Sequence, residues 1–165
     1  MEDCDCEAAS QSTFHSPGPV GQGEEIVRLV FLPEQVNTDG TLKPTSISQA
    51  DLELPVAGYQ PPRGYSVNRS QYLDGDLIRR KAVDHQVRKP EDRREVWTYA
   101  ANVDAIRQIR DLLGHQALCI VDRAEPGDPS HAECWGAKPD RKPSEIKKIR
   151  SDLAALLLRS QKIVG

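Results

Sequence analysis

The order of hydrophobic and polar positions predicts several short strands along the chain. β-Branched and apolar residues fill 24–32, which predicts a first strand closed by Pro33. Residues 94–100 alternate between two faces, and 65–68 form a shorter extended piece. Residues 115–124, HQALCIVDRA, are the most apolar of these runs, so we expect them to form an interior strand.

Helical spacing is present in three further segments. Residues 73–89 place their apolar side chains at intervals that suit one face of a helix before Pro90. Asn102 is a typical N-cap for a helix over 103–113, and Gly114 follows its last turn. Residues 143–161 begin with Pro-Ser-Glu and carry an apolar stripe opposite several basic residues, which predicts a C-terminal helix.

The order of these elements predicts one small α+β domain over residues 24–165. We expect a mixed or antiparallel sheet that is packed by two or three helices. Asp39-Gly40 indicates a turn, and 46–54 is either a short helical turn or an irregular segment.

The first 23 residues are polar and acidic, so we expect them to form a disordered tail. The tail has no hydrophobic signal region, and no apolar run approaches the length that spans a bilayer. These observations predict a cytoplasmic protein without a membrane partner. The four cysteines show no Cys-x-x-Cys pair, so neither a standard zinc site nor a disulfide framework is expected.

The formal net charge of −3 is carried by the acidic tail, and the rest of the chain has slightly more bases than acids. Bases are most frequent in 63–94, but they are not clustered as in a dedicated nucleic-acid binder. A nucleic acid or nucleotide therefore stays an open ligand class, and a solvated basic surface is the simpler interpretation.

Residues 128–136, DPSHAECWG, contain the densest group of reactive side chains. If the stretch is a strand, alternation places His131 and Glu133 on one face and turns Cys134 to the other face with Ala132. Imidazole changes its charge nearest neutral pH, and a neighbouring carboxylate orients it. His131 and Glu133 are therefore our candidate catalytic pair for proton transfer.

Three other interpretations of this stretch stay open. His131 and Glu133 would show the same pattern as an exposed, inactive strand edge. Cys134 would act as a nucleophile if His115 or His85 supplied the base. Asp128, His131 and Glu133, together with His115, would bind a metal only if they converged.

Residues 63–69, RGYSVNR, are the second unusual segment. Arg63, Ser66 and Arg69 combine guanidinium and hydroxyl groups that bind anions such as phosphate. No Walker sequence or Gly-x-Gly-x-x-Gly pattern accompanies them. The alternative is that Gly64 makes a turn and the arginines pair with surface acids.

Two short motifs lie in these stretches. The first is Gly-x-Ser-Val-x-Arg, formed by Gly64, Ser66, Val67 and Arg69, and the second is Asp-Pro-x-x-His-Ala-Glu, formed by Asp128, Pro129, His131, Ala132 and Glu133. This combination resembles a group of small bacterial proteins of unknown function. The resemblance implies that the two stretches belong to one site, and it implies no activity.

Our functional hypothesis joins the two stretches. Arg63 and Arg69 would hold an anionic, phosphate-containing ligand, Ser66 would orient it, and His131 with Glu133 would move a proton. The sequence indicates no particular cofactor. The alternative is a non-catalytic accessory module whose acidic tail and C-terminal helix dock onto a partner protein.

Overall fold

The computed structural model describes residues 16–53, 64–88 and 95–164. Its strands are β1 (Glu25–Phe31), β2 (Tyr65–Arg69), β3 (Val96–Asn102), β4 (Leu118–Asp122), β5 (His131–Gly136) and β6 (Leu158–Val164). Its helices are α1 (Gly75–Arg88), α2 (Val103–Arg107) and α3 (Pro143–Leu156). The six strands form one sheet in the order β4-β5-β2-β1-β3-β6, and every neighbouring pair is antiparallel. The predicted α+β class is confirmed, and the sheet is antiparallel rather than mixed.

One face of the sheet carries the main hydrophobic core, and we call it the core face. Ile26 of β1 and Ile120 of β4 lie on this face, where α3 contributes Ile149 and Leu153 to the same cluster. All four are buried at 3% exposure or less. Because apolar burial is the largest favourable contribution to folding, this cluster holds the sheet and α3 together.

The opposite face, which we call the outer face, carries α1. The His85 ring in α1 stacks on Phe31 of β1, with ring centroids 3.9 Å apart. Towards β4, the outer face carries the small cluster of Cys119 and Val121, with Trp135 packed against it. The polar residues of β2 and β5 lie between α1 and this cluster.

The segment before β1 packs against the domain. Val20 is buried, and its carbonyl oxygen accepts a hydrogen bond from Nη2 of the buried Arg107 at 2.7 Å. Residues 16–23 therefore belong to the folded domain, although they were predicted to be part of a disordered tail. Residues 1–15 lie outside the described part of the chain.

The helix predicted over 103–113 ends at Arg107. Its beginning is confirmed, since the Asn102 side chain accepts a hydrogen bond from the Asp104 N–H. The later half is wrong because Asp111 builds a turn instead: its Oδ1 accepts from the N–H groups of Leu113 and His115, both at 2.9 Å. A side chain that satisfies backbone donors in this way competes with helix formation.

The C-terminal helix is confirmed only over Pro143–Leu156, and β6 follows where the helix was predicted to continue. The apolar stripe of α3 is buried, so this helix does not keep exposed leucines for a partner, as the interaction hypothesis required. Leu158 lay within the predicted helix, but it is 65% exposed on the edge strand. Pairing of β6 with β3 therefore overrides the local pattern.

Two smaller expectations also have outcomes. The Asp39-Gly40 turn is confirmed, with Gly40 at a φ of +85°, which favours glycine. β4 is buried throughout, but it is the end strand of the described sheet rather than an interior strand. A strand can be buried on both faces and still lack a neighbouring strand on one edge. The hydrophobic run 115–124 therefore did not show that β4 is an interior strand.

The cysteines differ from the expectation. Cys119 is buried and disulfide-bonded, although no disulfide was expected. Cys134 is buried and is not part of a disulfide bond. Among the helices of the described residues, none has the length and apolar character needed to cross a bilayer.

Candidate functional site

The pairing of β2 with β5 brings the two unusual sequence stretches together. Ser66 is opposite Glu133, and Asn68 is opposite His131. Directly opposed residues of an antiparallel pair point to the same side. Ser66, Asn68, His131 and Glu133 therefore share the outer face. Within the stretch 128–136, His131–Gly136 is a strand, so the alternation that we expected if the stretch formed a strand is confirmed there.

The central contact of the site joins Ser66 to His131. Ser66 Oγ lies 2.8 Å from His131 Nε2, and His131 Nδ1 lies 2.8 Å from the Arg123 carbonyl oxygen. A carbonyl oxygen has no proton to give, so Nδ1 must carry one and donate it. In the neutral ring Nε2 is then unprotonated and accepts the Ser66 hydroxyl proton. This is the arrangement in which a histidine activates a serine hydroxyl.

A carboxylate lies on the far side of the same imidazole. Glu125 Oε1 is 3.6 Å from His131 Nδ1, and the Glu125 side chain is 63% exposed, whereas that of His131 is 12% exposed. The negative charge favours the imidazolium that forms when His131 takes a proton. Glu125 therefore takes the position of the carboxylate in a Ser-His-carboxylate triad. Its contact with the ring is loose, and its side chain lies at the surface.

Glu133 has a different role from the one predicted. It shares the outer face with His131, but its carboxylate is not hydrogen-bonded to that ring. Glu133 Oε2 accepts from the Gly64 N–H at 3.1 Å and from Trp135 Nε1 at 2.8 Å. Since Glu133 is buried, these bonds fasten the start of β2 to the Trp135 side chain.

A second polar network adjoins the serine and the histidine. Asp128 accepts from the Ser130 hydroxyl and from Lys81 Nζ, and Asn68 Nδ2 donates to Ser130 Oγ at 2.9 Å. Burial acts to raise the pKa of Asp128. The bonds from Lys81 and Ser130, with the charges of Lys81 and His131, outweigh burial and lower the pKa below its ordinary value. Asp128 is thus a structural anion that anchors α1 to the turn before β5.

Of the two predicted arginines, the one that the structure describes, Arg69, does not join this site. Arg63 lies outside the described residues. Arg69 points to the core face, where it is 1% exposed and bonded to Glu24 and to the carbonyl oxygens of Gly18 and Pro19. The predicted meeting of Arg69 with His131 does not occur, because Arg69 lies three positions after Ser66 in an alternating strand and so points to the other face.

Arg123 is the cationic residue that the sequence interpretation missed. It follows β4 opposite His131, since the Arg123 N–H donates to the His131 carbonyl oxygen at 3.0 Å. Its Nε is 3.9 Å from Glu133 Oε2, and its Cζ is 5.7 Å from the Trp135 ring centroid. The sequence contains a signal for the position of Arg123: in residues 119–123, CIVDR, alternation places Val121 and Arg123 on the same side of the strand.

The thiol and metal interpretations lack geometric support among the described residues. Cys134 lies on the core face at 0% exposure, away from the outer-face histidine, as alternation predicted. His115 instead lies 3.7 Å from Asp111, in the turn after α2. Within the described ranges, no three His, Cys, Asp or Glu side chains converge as metal ligands.

Comparisons with known proteins do not extend this description. No family model, no curated protein and no solved structure matches the chain. The arrangement of side chains on the outer face is therefore what supports a functional proposal.

Proposed function

We propose that the protein is an enzyme that transfers an acyl group, with Ser66 as the nucleophile and His131 as the general base. The observation that carries the proposal is the 2.8 Å contact between Ser66 Oγ and His131 Nε2, in a ring whose Nδ1 is bound to a carbonyl oxygen. That second bond leaves only one tautomer for the neutral ring. Nε2 is thus kept ready to accept a proton.

The proposed reaction has two balanced steps. The Ser66 hydroxyl proton passes to His131 Nε2 as Oγ attacks the carbonyl carbon of an ester, and the imidazolium then returns the proton to the departing alcohol. Water, deprotonated by His131, next attacks the acyl carbon; the acyl-serine bond breaks, the imidazolium returns the proton to Ser66 Oγ, and the acid is released. Glu125 stabilises the transient imidazolium through its charge.

The substrate class in this proposal is an anionic ester. Arg123 lies opposite His131 on the same face, and its side chain is 35% exposed. A guanidinium bound to a carboxylate or phosphate group of the substrate would place the ester near Ser66. This retains the anionic ligand of the sequence hypothesis, with Arg123 in the position that Arg69 was expected to occupy.

The direct test is labelling of the wild-type chain with a fluorophosphonate, followed by intact-mass analysis and peptide mapping. Attack by Ser66 Oγ on phosphorus releases fluoride and leaves one adduct on Ser66. Ser66→Ala should abolish the adduct, and His131→Gln should slow labelling by roughly 10²-fold, as expected for loss of a general base.

Ser70→Ala is the matched control, because Ser70 Oγ donates to Glu25 and has no histidine partner in the described part of the chain. Labelling of this variant at the wild-type rate is expected. An unlabelled wild type, or an adduct that persists in Ser66→Ala, would refute the proposal.

The anionic substrate is tested separately with two p-nitrophenyl esters, the acetate and the succinate monoester. Arg123→Met should lower kcat/KM for the succinate ester about tenfold or more and leave the acetate nearly unchanged, since only the succinate carries an anion. Equal effects on both esters would remove Arg123 from substrate recognition without affecting the role of Ser66.

A partner-binding function is the second candidate, and one observation favours it. Leu112 and Leu113 are 71% and 82% exposed, side by side in the turn that Asp111 builds. Exposed apolar pairs of this kind occur at protein interfaces. Concentration-dependent self-association in analytical ultracentrifugation that is lost in Leu112→Ser/Leu113→Ser would support this candidate. A chain that stays monomeric would count against a second copy as the partner.

A bacterial source and a cytoplasmic location stay predictions, and the resemblance of the two motifs supports the first. Fractionation of cells that express the full chain, with detection by antibody, tests the location. Recovery in the cytoplasmic fraction is expected.

A further inference from the structure

A cavity lies near the edge strand β6, away from the Ser66 site on β2. Its volume is about 590 Å³, and it opens between the turn after β1 and the edge strand β6. β1 and β3 separate β6 from β2 in the sheet, so the two sites are independent. The cavity is lined by Leu32, Pro33, Glu34, Val36, Asn37, Thr38, Asp39, Gly40, Lys43 and Arg159.

Arg159 is held in a defined position at this cavity. Its Nε donates to Tyr99 Oη at 3.3 Å, and its Cζ lies 4.9 Å from the Trp97 ring centroid. Tyr99 is fully buried, and its hydroxyl donates in turn to the Gly40 carbonyl oxygen. A guanidinium fixed by a hydrogen bond and an aromatic ring loses little entropy when it binds a ligand.

The guanidinium makes no close ion pair among the described residues, although its charge acts on the Glu95 carboxylate. No described carboxylate is within ion-pair distance of Arg159 or of Lys43, the second basic residue of the cavity. Asp39 lines the same cavity, but its Oδ1 accepts from the N–H and hydroxyl of Thr41, and these bonds lower its pKa below the ordinary value. The charge of the Asp39 carboxylate therefore acts within the turn that Asp39 forms with Thr41.

The charges of the lining limit the class of ligand. Glu34 and Asp39 offset the two bases, which disfavours a ligand with several negative charges. A ligand with a single anionic group, paired with the Nη atoms of Arg159, is not disfavoured by these two acids in the same way. Leu32, Pro33 and Val36 supply an apolar wall for the rest of the molecule.

We propose that this cavity binds a small carboxylic acid with an apolar body. The carboxylate pairs with Arg159, and the apolar body lies against Leu32, Pro33 and Val36. The proposal does not depend on the function of Ser66.

The test uses benzoate as the probe and Trp97 as the reporter. In the full chain carrying Trp135→Phe, Trp97 is the one remaining tryptophan, and Arg159 lies over its ring. Binding of benzoate should change the Trp97 fluorescence in a saturable manner. Acetate lacks the apolar body and benzyl alcohol lacks the charge, so both should bind more weakly.

Arg159→Met should weaken benzoate binding about tenfold or more, because it removes a charge-assisted hydrogen-bond pair. Lys162→Met is the matched control: it removes one positive charge from the same strand, and Lys162 pairs with Glu95 rather than facing the cavity. Its benzoate affinity should equal that of the parent. Isothermal titration calorimetry checks each affinity without the tryptophan reporter.

Three results would overturn the proposal: no saturable binding of benzoate, equal affinity in Arg159→Met, or binding of benzyl alcohol as tight as that of benzoate. Circular dichroism confirms that each variant is folded, so that a lost signal reports on the cavity.

Discussion

Arg69 and Glu24 form a buried, two-pronged ion pair, in which Nε–Oε1 and Nη2–Oε2 are both 2.8 Å apart. Burial acts to raise the pKa of Glu24, but hydrogen bonds from Arg69 and from the Gly21 N–H, with the Arg69 charge, hold it below its ordinary value. The pair joins the segment before β1 to the end of β2. Arg69 is therefore part of the framework behind the candidate site.

Arg69→Met should destabilise the fold by about 3–5 kcal/mol, because it leaves the buried Glu24 carboxylate without a counterion. Glu24→Leu/Arg69→Met should cost clearly less than the two single changes added together. Urea denaturation of the four proteins measures this coupling. Arg79→Met, at an exposed position in α1, is the control and should change stability little. Additive single effects would contradict the paired arrangement.

Gly64→Ala should destabilise the protein by several kcal/mol, since an added Cβ would overlap the Trp135 ring and lie 2.6 Å from the Cys134 carbonyl oxygen. The shift would also displace the Gly64 N–H from Glu133. Gly75→Ala, at the first residue of α1, meets no atom within 4 Å and should be neutral or slightly stabilising. Thermal unfolding of both variants tests the contrast, and equal melting temperatures would show that Gly64 does not contact Trp135 closely.

Asp128→Asn should lower the free energy of unfolding at pH 7 by about 1 kcal/mol, a modest value because Lys81 is partly exposed to water. The folded state lowers the Asp128 pKa, so the carboxylate stabilises the fold above its ordinary value of 3.8 and loses this effect as the pH falls. The difference between wild type and variant should thus shrink at acidic pH. Urea titrations at several pH values measure it, with the exposed Asp84→Asn as control. A difference that grows on acidification would reverse the assigned sign.

Asp111→Ala should cost about 2–3 kcal/mol, since three donors lose their acceptor: the Leu113 and His115 N–H groups and Arg141 Nη2, which lies 3.2 Å from Oδ2. Asp111→Asn keeps the Oδ1 acceptor and should cost less. Hydrogen exchange of the Leu113 and His115 amides provides a local measurement. Unchanged exchange in Asp111→Ala would show that the turn does not depend on this side chain.

Much of the fold was predictable because local patterns agreed with the final structure. β1, β2, β3 and β5 were all predicted within a few residues, since alternation and turn residues act over short distances. The predictions failed where a contact with a residue far along the chain determines the local secondary structure. Asp111 ends the helix of α2 early with help from Arg141, and β6 forms by pairing with β3.

The candidate site was predictable to a similar extent. Alternation alone placed His131 and Glu133 on one face and Cys134 on the other, because side-chain direction in a strand has a period of two. Alternation also separates Ser66 from Arg69, although the shared-site hypothesis overlooked this. The sequence did not contain the bond from Ser66 to His131, which depends on the register between two strands far apart in the chain.

The sequence by itself determined strands β1 to β5, their faces and the chemistry available on each, because these follow from backbone geometry and side-chain type. Only the tertiary structure decided which groups meet. The pairing of β2 with β5 selects Ser66 as the partner of His131, and the end of β4 supplies Arg123 and its carbonyl oxygen. These are contacts between residues far apart in sequence, and their geometry is fixed by the register of the sheet rather than by any local pattern.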